Sequence, residues 1–287
     1  MASSFRGRDS TNSVNNKHKK AVEEVVMPVV NSSDIVLEIL DARFIDETRN
    51  KEIEERITKQ NKKIIYVLNK IDLVSLGELH KKIELENLRP YILFSCKERK
   101  GLRELRNRIK IEAKRILKDK RDLPSDFKYL HLAYVGVIGY PNTGKSSVIN
   151  MLMGKTVAPS SPIAGFTKGM QKLKLSENIM LLDTPGIIPR EENSQVYTAD
   201  LKKHGIIGVE TWQKVRQPDM IVIAIMQEYP GVLEKHYNIE AKGDADVLIQ
   251  ELGRQKHFLK KGGIIDSDRT SRLIVKDWQA GKIKPSG

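Results

Sequence analysis

The chain has 287 residues, 39% of them hydrophobic and 30% charged, with a formal net charge of +13. That is length for about two domains, but there is no run of the roughly 18–20 apolar residues a membrane span needs, no secretory-type amino terminus, and only one cysteine, which excludes an internal disulfide framework and a Cys-based zinc site. A soluble cytoplasmic protein with no membrane role is expected, and the positive excess suits a partner with a phosphate backbone, because each neutralised phosphate releases counterions.

Residues 1–20 are polar and basic and are expected to be a disordered tail. From about Val25 apolar strands alternate with helices. SDIVLEILDAR (33–43) is a buried strand, NKEIEERITKQN (50–61) a helix, KKIIYVLNKIDL (62–73) a second strand, GELHKKIELENL (77–88) a helix, and PYILFSCKERKG (90–101) a third strand with its loop. In the helix 101–120, Leu102, Leu105, Ile109, Ala113 and Ile116 make one apolar stripe. RDLPSDF (121–127) reads as a linker, LHLAYVGVIGY as a fourth strand, SVINMLMGK (147–155) as a helix, and MQKLKLSENIMLLDTP (170–185) as two strands with a turn near Glu177 and Asn178. The fold class is therefore α/β, with a mostly parallel six-stranded sheet covered on both faces. After about Arg190 the alternation stops. Residues 21–190 are assigned to the α/β domain and 191–287 to a small, mainly helical one suited to RNA. In the latter, DMIVIAIMQ (219–227) is strand-like by propensity but is assigned to a helix, and Asp266 or Ser267 caps the last helix.

GYPNTGKSS (139–147) fits G-x-x-x-x-G-K-S between a strand and a helix, the context that makes a phosphate loop. Its glycines let backbone amides close on phosphates, and the helix amino terminus adds its positive end. Asn142, Thr143, Gly144, Lys145, Ser146 and Ser147 are the phosphate-binding candidates. Lys145 would reach the β- and γ-phosphates and the Ser146 hydroxyl would bind Mg²⁺. Asp183 ends the strand NIMLLD, where a carboxylate can hold Mg²⁺ through water. Thr167 is the threonine of the loop PIAGFTKGM and the candidate for a further Mg²⁺ ligand. The Gly186 amide can bond the γ-phosphate.

NKID (69–72), at the end of an apolar strand, selects the base. A carboxylate accepts from both N1–H and the N2 amino group of guanine, and adenine offers neither there, so Asp72 would read guanine. Asn69 would contact the other edge and the Lys70 stem would lie along the base. A site that depends on such bonds rejects an analogue by roughly 10⁴–10⁵. SCK (Ser95, Cys96, Lys97) strengthens this reading, the Cys96 amide facing the guanine carbonyl oxygen. An ATPase reading survives only if Asn69 and Asp72 do not face the base.

In Ras-like GTPases the phosphate loop comes first and N-K-x-D later; here NKID and SCK precede GYPNTGKSS, Thr167 and DTPG. In this order the chain resembles the circularly permuted GTPases of the YlqF/YawG (RbgA-like) group. DARFIDETRN (41–50) is similar to that group's D-A-R-x-P-x-x-x-R-N, with Ile45 in place of proline, and residues 252–283 are similar to its carboxy-terminal segment. The roles of Asp41 and Arg43 stay open. The resemblance implies GTP and GDP as ligands, GTP hydrolysis with Mg²⁺, a monomer, and a part in ribosome assembly, with the large subunit favoured as partner.

Ile187 stands where many such switch proteins carry a water-positioning glutamine, and the group is similar in having a hydrophobic residue there. Asn142 offers a substitute: GTPases with asparagine at this point of the loop often bind K⁺ beside the phosphates, and such an ion stabilises transition-state charge. Lys145, Asn142, Thr167 and Gly186 are thus the catalytic candidates, with His204 an alternative water-positioning group. Twelve Lys or Arg between Lys97 and Arg121, and a second set from Arg254 to Lys276, suit rRNA phosphates. Two rival readings are a GTPase for the small subunit or another RNA, and a GTP-gated RNA-binding module whose hydrolysis is incidental.

Overall fold

The computed structural model describes residues 26–121, 132–154, 171–183, 205–208 and 211–285. The tail 1–20, nearly all of the 121–127 linker, the boundary near Arg190, Thr167, Gly186, Ile187 and His204 lie outside the described residues.

Residues 26–32 form a helix, α1, that leads into strand β1 (Ile35–Asp41). All seven residues of β1 are buried, as the central strand of a parallel sheet covered on both faces requires. Successive side chains alternate faces. Ile35, Leu37 and Ile39 pack with α5 (Leu102–Arg121) and α6 (Lys145–Met153), while Val36 meets Ile53 and Ile57 of α3 (Lys51–Lys59) and Leu40 meets α4 (Leu76–Leu85). Between β1 and α3 lies the single turn α2 (Ile45–Thr48). The remaining strands are β2 (Lys63–Asn69), β3 (Tyr91–Leu93), β4 (Ala133–Ile138), β5 (Gln171–Ser176) and β6 (Ile179–Asp183). Their order is β3-β2-β1-β4-β6-β5. Only β5 runs antiparallel, because a two-residue turn joins it to β6 and so short a connection can only make a hairpin.

β1, β2 and β3 step outward in one direction, and β4 then returns to the other side of β1. The strand order reverses between β1 and β4, which is where open α/β sheets leave a ligand crevice at their carboxyl ends. Asp41 pairs in register with Asn69, and Val137 with Asp183, so both predicted motif ends reach this edge.

Local turns set the bounds of two elements. β3 has only three residues, because Ser95 and Lys100 exchange backbone hydrogen bonds (3.2 and 3.1 Å) and turn the chain away from the sheet. α6 begins at Lys145 rather than Ser147, since Gly144 already stands as its amino-terminal flank.

The described carboxy-terminal residues are mainly helical: α7 (Pro218–Glu228), α8 (Val232–Tyr237), α9 (Ala245–Gln255) and α10 (Ser267–Gln279). The β-branched run 219–227 is helical, with Pro218 preset for the first turn and burial around most of its circumference. Asp266 caps α10, its side chain accepting from Arg269 N. The core of these helices centres on fully buried Trp278 and takes in Phe44, from the loop after β1, whose ring centroid lies 6.3 Å from that of Trp278.

One buried acid stands out. Glu38, mid-β1, accepts from Asn50 N at 3.1 Å with Oε1, but Oε2 has no partner among the described residues. Burial first, then the charge of Glu54, raises its pKa from 4.5 to about 8. The folded chain thus holds a proton that the unfolded chain releases, so this group's stabilisation is complete below pH 4.5 and is lost as pH rises towards 8. Glu38→Gln, which cannot ionise, should gain on the wild type in urea unfolding as pH is raised from 6 to 8.

Candidate nucleotide site

The phosphate loop follows β4 and is shaped by close backbone approaches. Gly144 has φ +101°, and a Cβ there would lie 2.2 Å from Asn69 Nδ2; at Gly139 (φ +147°) it would lie 2.4 Å from Ile39 O. Asn142 also takes the left-handed conformation, at φ 59°, which asparagine tolerates better than most residues. Thr143 Oγ1 donates to Tyr140 O at 2.9 Å, and Lys145 Nζ donates to Gly139 O and Tyr140 O at 2.8 and 2.7 Å. The loop is thus wrapped around the lysine ammonium. Ser146 and Ser147, both half-buried, lie in the first turn of α6.

The NKID loop docks directly onto this wrap. Asn69 Nδ2 donates to Thr143 O at 2.8 Å, and Asn69 Oδ1 accepts from Cys96 N at 3.4 Å. Lys70, at φ 67°, sends its ammonium to Asn142 O (2.8 Å) and to Asp41 Oδ2 (2.6 Å). Asp72 accepts from Ser95 Oγ at 2.7 Å, and that Ser95 oxygen also accepts from Glu98 N at 3.0 Å. Lys97 is exposed. Burial pushes the Cys96 thiol up to about 11, so the neutral side chain is a small packed group and its main-chain N–H carries the polar contact. That N–H engages Asn69, a second use for an amide expected to face a base.

Beneath the two loops lies Asp41, which sequence reasoning left without a role. Burial alone would raise its pKa, but Lys70 and Arg43 hold it well below the usual carboxylate range. Arg43 grips it with Nε (3.0 Å) and Nη2 (2.8 Å), a planar two-point match that only arginine makes. Lys70 in turn is lowered by burial, opposed by Asp41 and reinforced by Arg43. Arg49 and Asn50 of the same motif are structural: Arg49 pairs with Glu54 at 2.6 Å and Asn50 caps α3.

The carboxy-terminal helices also touch the site, with no signal in the sequence. Arg43 Nη1 donates to Trp278 O at 3.1 Å, Asn142 Nδ2 donates to Gly208 O, and Tyr140 packs on the helical core. Arg43 and Trp278 are 235 residues apart, and no local pattern encodes such a pairing. Of the predicted set, Asn69, Lys70, Asp72, Ser95, Cys96 and residues 142–145 come together in these contacts. The backbone of Asp183 reaches the same edge, whereas Thr167 and Gly186 lie outside the described residues. Among the described residues no three His, Cys, Asp or Glu cluster to hold a metal.

A strand-to-helix phosphate loop joined to an N-K-x-D loop defines a GTP-binding protein of the P-loop class. Comparison with known proteins agrees. A family described as "50S ribosome-binding GTPase" matches residues 134–255. An uncharacterized GTP-binding protein of Methanocaldococcus jannaschii is 34% identical over 93% of this chain and 67% of its own length. Nucleolar GTP-binding protein 2 of Saccharomyces cerevisiae is 35% identical over 92% of this chain, and GTPase grn1 of Schizosaccharomyces pombe 30% over 93%. The chain spans only 52% and 61% of those two relatives. In fold it is similar to GNP-bound YlqF from T. maritima (TM-score 0.59, 24% identity, 93% of this chain and 94% of that one). The chain belongs to the circularly permuted GTPases of the YlqF/YawG family.

Two substitutions probe the site in a fluorescent-GDP titration. Gly144→Ala drives a methyl into Asn69 and should weaken binding more than about tenfold, from at least about 1.4 kcal/mol of strain. Ser95→Ala removes one hydrogen bond that orients Asp72 and should cost about fivefold, near 1 kcal/mol.

Proposed function

We propose that this GTPase acts in ribosome assembly, with the large subunit as its target. The observation that carries the nucleotide half is the Asn69 bond to Thr143 O, which fixes the base-reading loop against the phosphate loop at 2.8 Å. The matching family's description as 50S ribosome-binding supports the choice of subunit. Domain limits of 21–190 and 191–287 belong to the same reading.

Ser146, Thr167 and Asp183 would hold Mg²⁺, which supplies charge neutralisation at the transferring phosphate. Lys145 binds and orients the same phosphates, and Gly186 offers its amide to the γ-phosphate. With Ile187 unable to orient water, electrostatic stabilisation carries more of the barrier. Asn142 is suited to a share in it: its Nδ2 is engaged by Gly208 O, which fixes the carboxamide and leaves Oδ1 as the end able to meet a K⁺ ion.

The basic face of α5 supports an RNA partner. Its apolar residues Leu105, Ile109 and Ala113 are buried, so its exposed cations lie on the opposite side. Arg106 is spoken for at the end of α6, and Arg108 and Arg115 pair with Glu112. Lys110 and Lys114 remain at the surface. The second basic run supports it less. Arg254 pairs with Glu251 and Arg272 with Asp268, Arg269 stacks on Phe258, and Lys276 lies over Trp212.

Phosphate turnover should be measured in KCl and in NaCl, with and without purified subunits. Faster hydrolysis in KCl and with large subunits is expected, with the KCl advantage abolished in Asn142→Ala. Stimulation by small subunits instead would move the target. No stimulation at all would leave a GTP-gated RNA-binding module.

A further inference from the structure

Arg43 divides its guanidinium between two distant parts of the chain. Nε and Nη2 face Asp41, while Nη1 donates to the carbonyl of Trp278 near the end of α10. From Asp41 the hydrogen bonds run to Lys70 and on to Asn142 O in the phosphate loop. From Trp278 they run the other way. Its ring Nε1–H donates to Ile206 O at 2.9 Å, and Gly208, two residues on, accepts from the Asn142 side chain. The path leaves the phosphate loop at the Asn142 main chain and returns to it at the Asn142 side chain. Gln279 braces the far side, donating to Gly205 O and accepting from Trp212 N, both at 3.0 Å. Asp41 and the Arg43 side chain are each 1% exposed, so water does not compete for these bonds. Lys70 alone could balance the Asp41 charge, which leaves the third Arg43 donor as the part that reaches α10.

We propose that Arg43 is a positioning residue that couples occupancy of the nucleotide site to the carboxyl end of α10. This rests on the guanine-nucleotide reading above. Bound nucleotide restrains Asn142 and Lys70, Lys70 restrains Asp41, and the planar grip on Asp41 fixes the direction of the Nη1–H aimed at Trp278 O. By thermodynamic reciprocity, the ordered helix end raises nucleotide affinity by the same factor.

The test is hydrogen exchange on the full chain with and without GDP, read at residues 278–283, where Ala280, Gly281 and Lys282 amides bond back to Lys276, Trp278 and Asp277. GDP should slow this exchange about threefold or more in the wild type. Arg43→Lys keeps a cation beside Asp41 but cannot span to Trp278 O. In it the GDP-dependent slowing should vanish and the GDP Kd should rise about five- to tenfold. Arg43→Gln, which is isosteric in its stem and leaves Lys70 on Asp41, should behave alike, and thermal unfolding shows that each variant is folded. GDP-dependent slowing retained in either folded variant overturns the coupling. A wild type that binds no GDP overturns the nucleotide reading itself, and the inference with it.

Discussion

A buried carboxylate between two cations organises this molecule. Asp41 lies at the tip of the central strand, in the crevice where the strand order reverses. Taking a carboxylate out of water is costly unless cations and donors surround it, and Lys70 and Arg43 do so from opposite elements. Lys70 belongs to the NKID loop, which cannot shift without uncovering Asp41. Arg43 belongs to the connection that carries Phe44 into the helical core. One charge thus sets the position of the NKID loop and of the chain that anchors the helices.

The arrangement also shows why rotated motif order does no harm. The described motif ends, Asn69 after β2, Ser95 after β3, Gly139 after β4 and Asp183 in β6, sit at the carboxyl ends of parallel strands, and the sheet does not record which strand was first in the chain. What rotation alters is attachment. The half that carries NKID precedes the phosphate loop, and the helical part comes after β6, so the helices meet both halves at Tyr140, Asn142 and Arg43.

Much of this was legible in the sequence. Apolar runs such as IVLEILD and the three- and four-residue spacing in α5 report burial directly, and the G-x-x-x-x-G-K-S and N-K-x-D motifs need a few adjacent residues in a fixed backbone shape. The run IVIAIM of α7 was read correctly against its β propensity, and Pro218 gives the physical reason. The Asp41–Arg43 unit was visible as a pattern but not as a function, because its meaning lies in partners that the fold alone brings together. Trp278, Ile206 and Gly208 gave no sign, since a backbone carbonyl as acceptor leaves no trace in residue type. Where strand gives way to loop within residues 90–101 was not legible, because Ser95 and Lys100 pair with each other rather than with β2.

The strand order has a consequence for the chain as it is made. β1, β2 and β3 emerge from the ribosome before β4, so a half-sheet, complete at Leu93, exists whose open β1 edge awaits a neighbour that begins about 40 residues later at Ala133. At translation speeds of roughly 5–20 residues per second that is a delay of about 2–8 s. During it, the backbone groups of β1 that will bond β4 are an unpaired edge of the kind that recruits other chains. The nascent protein therefore acquires its NKID loop first, and it carries an open strand edge before its phosphate loop has been translated.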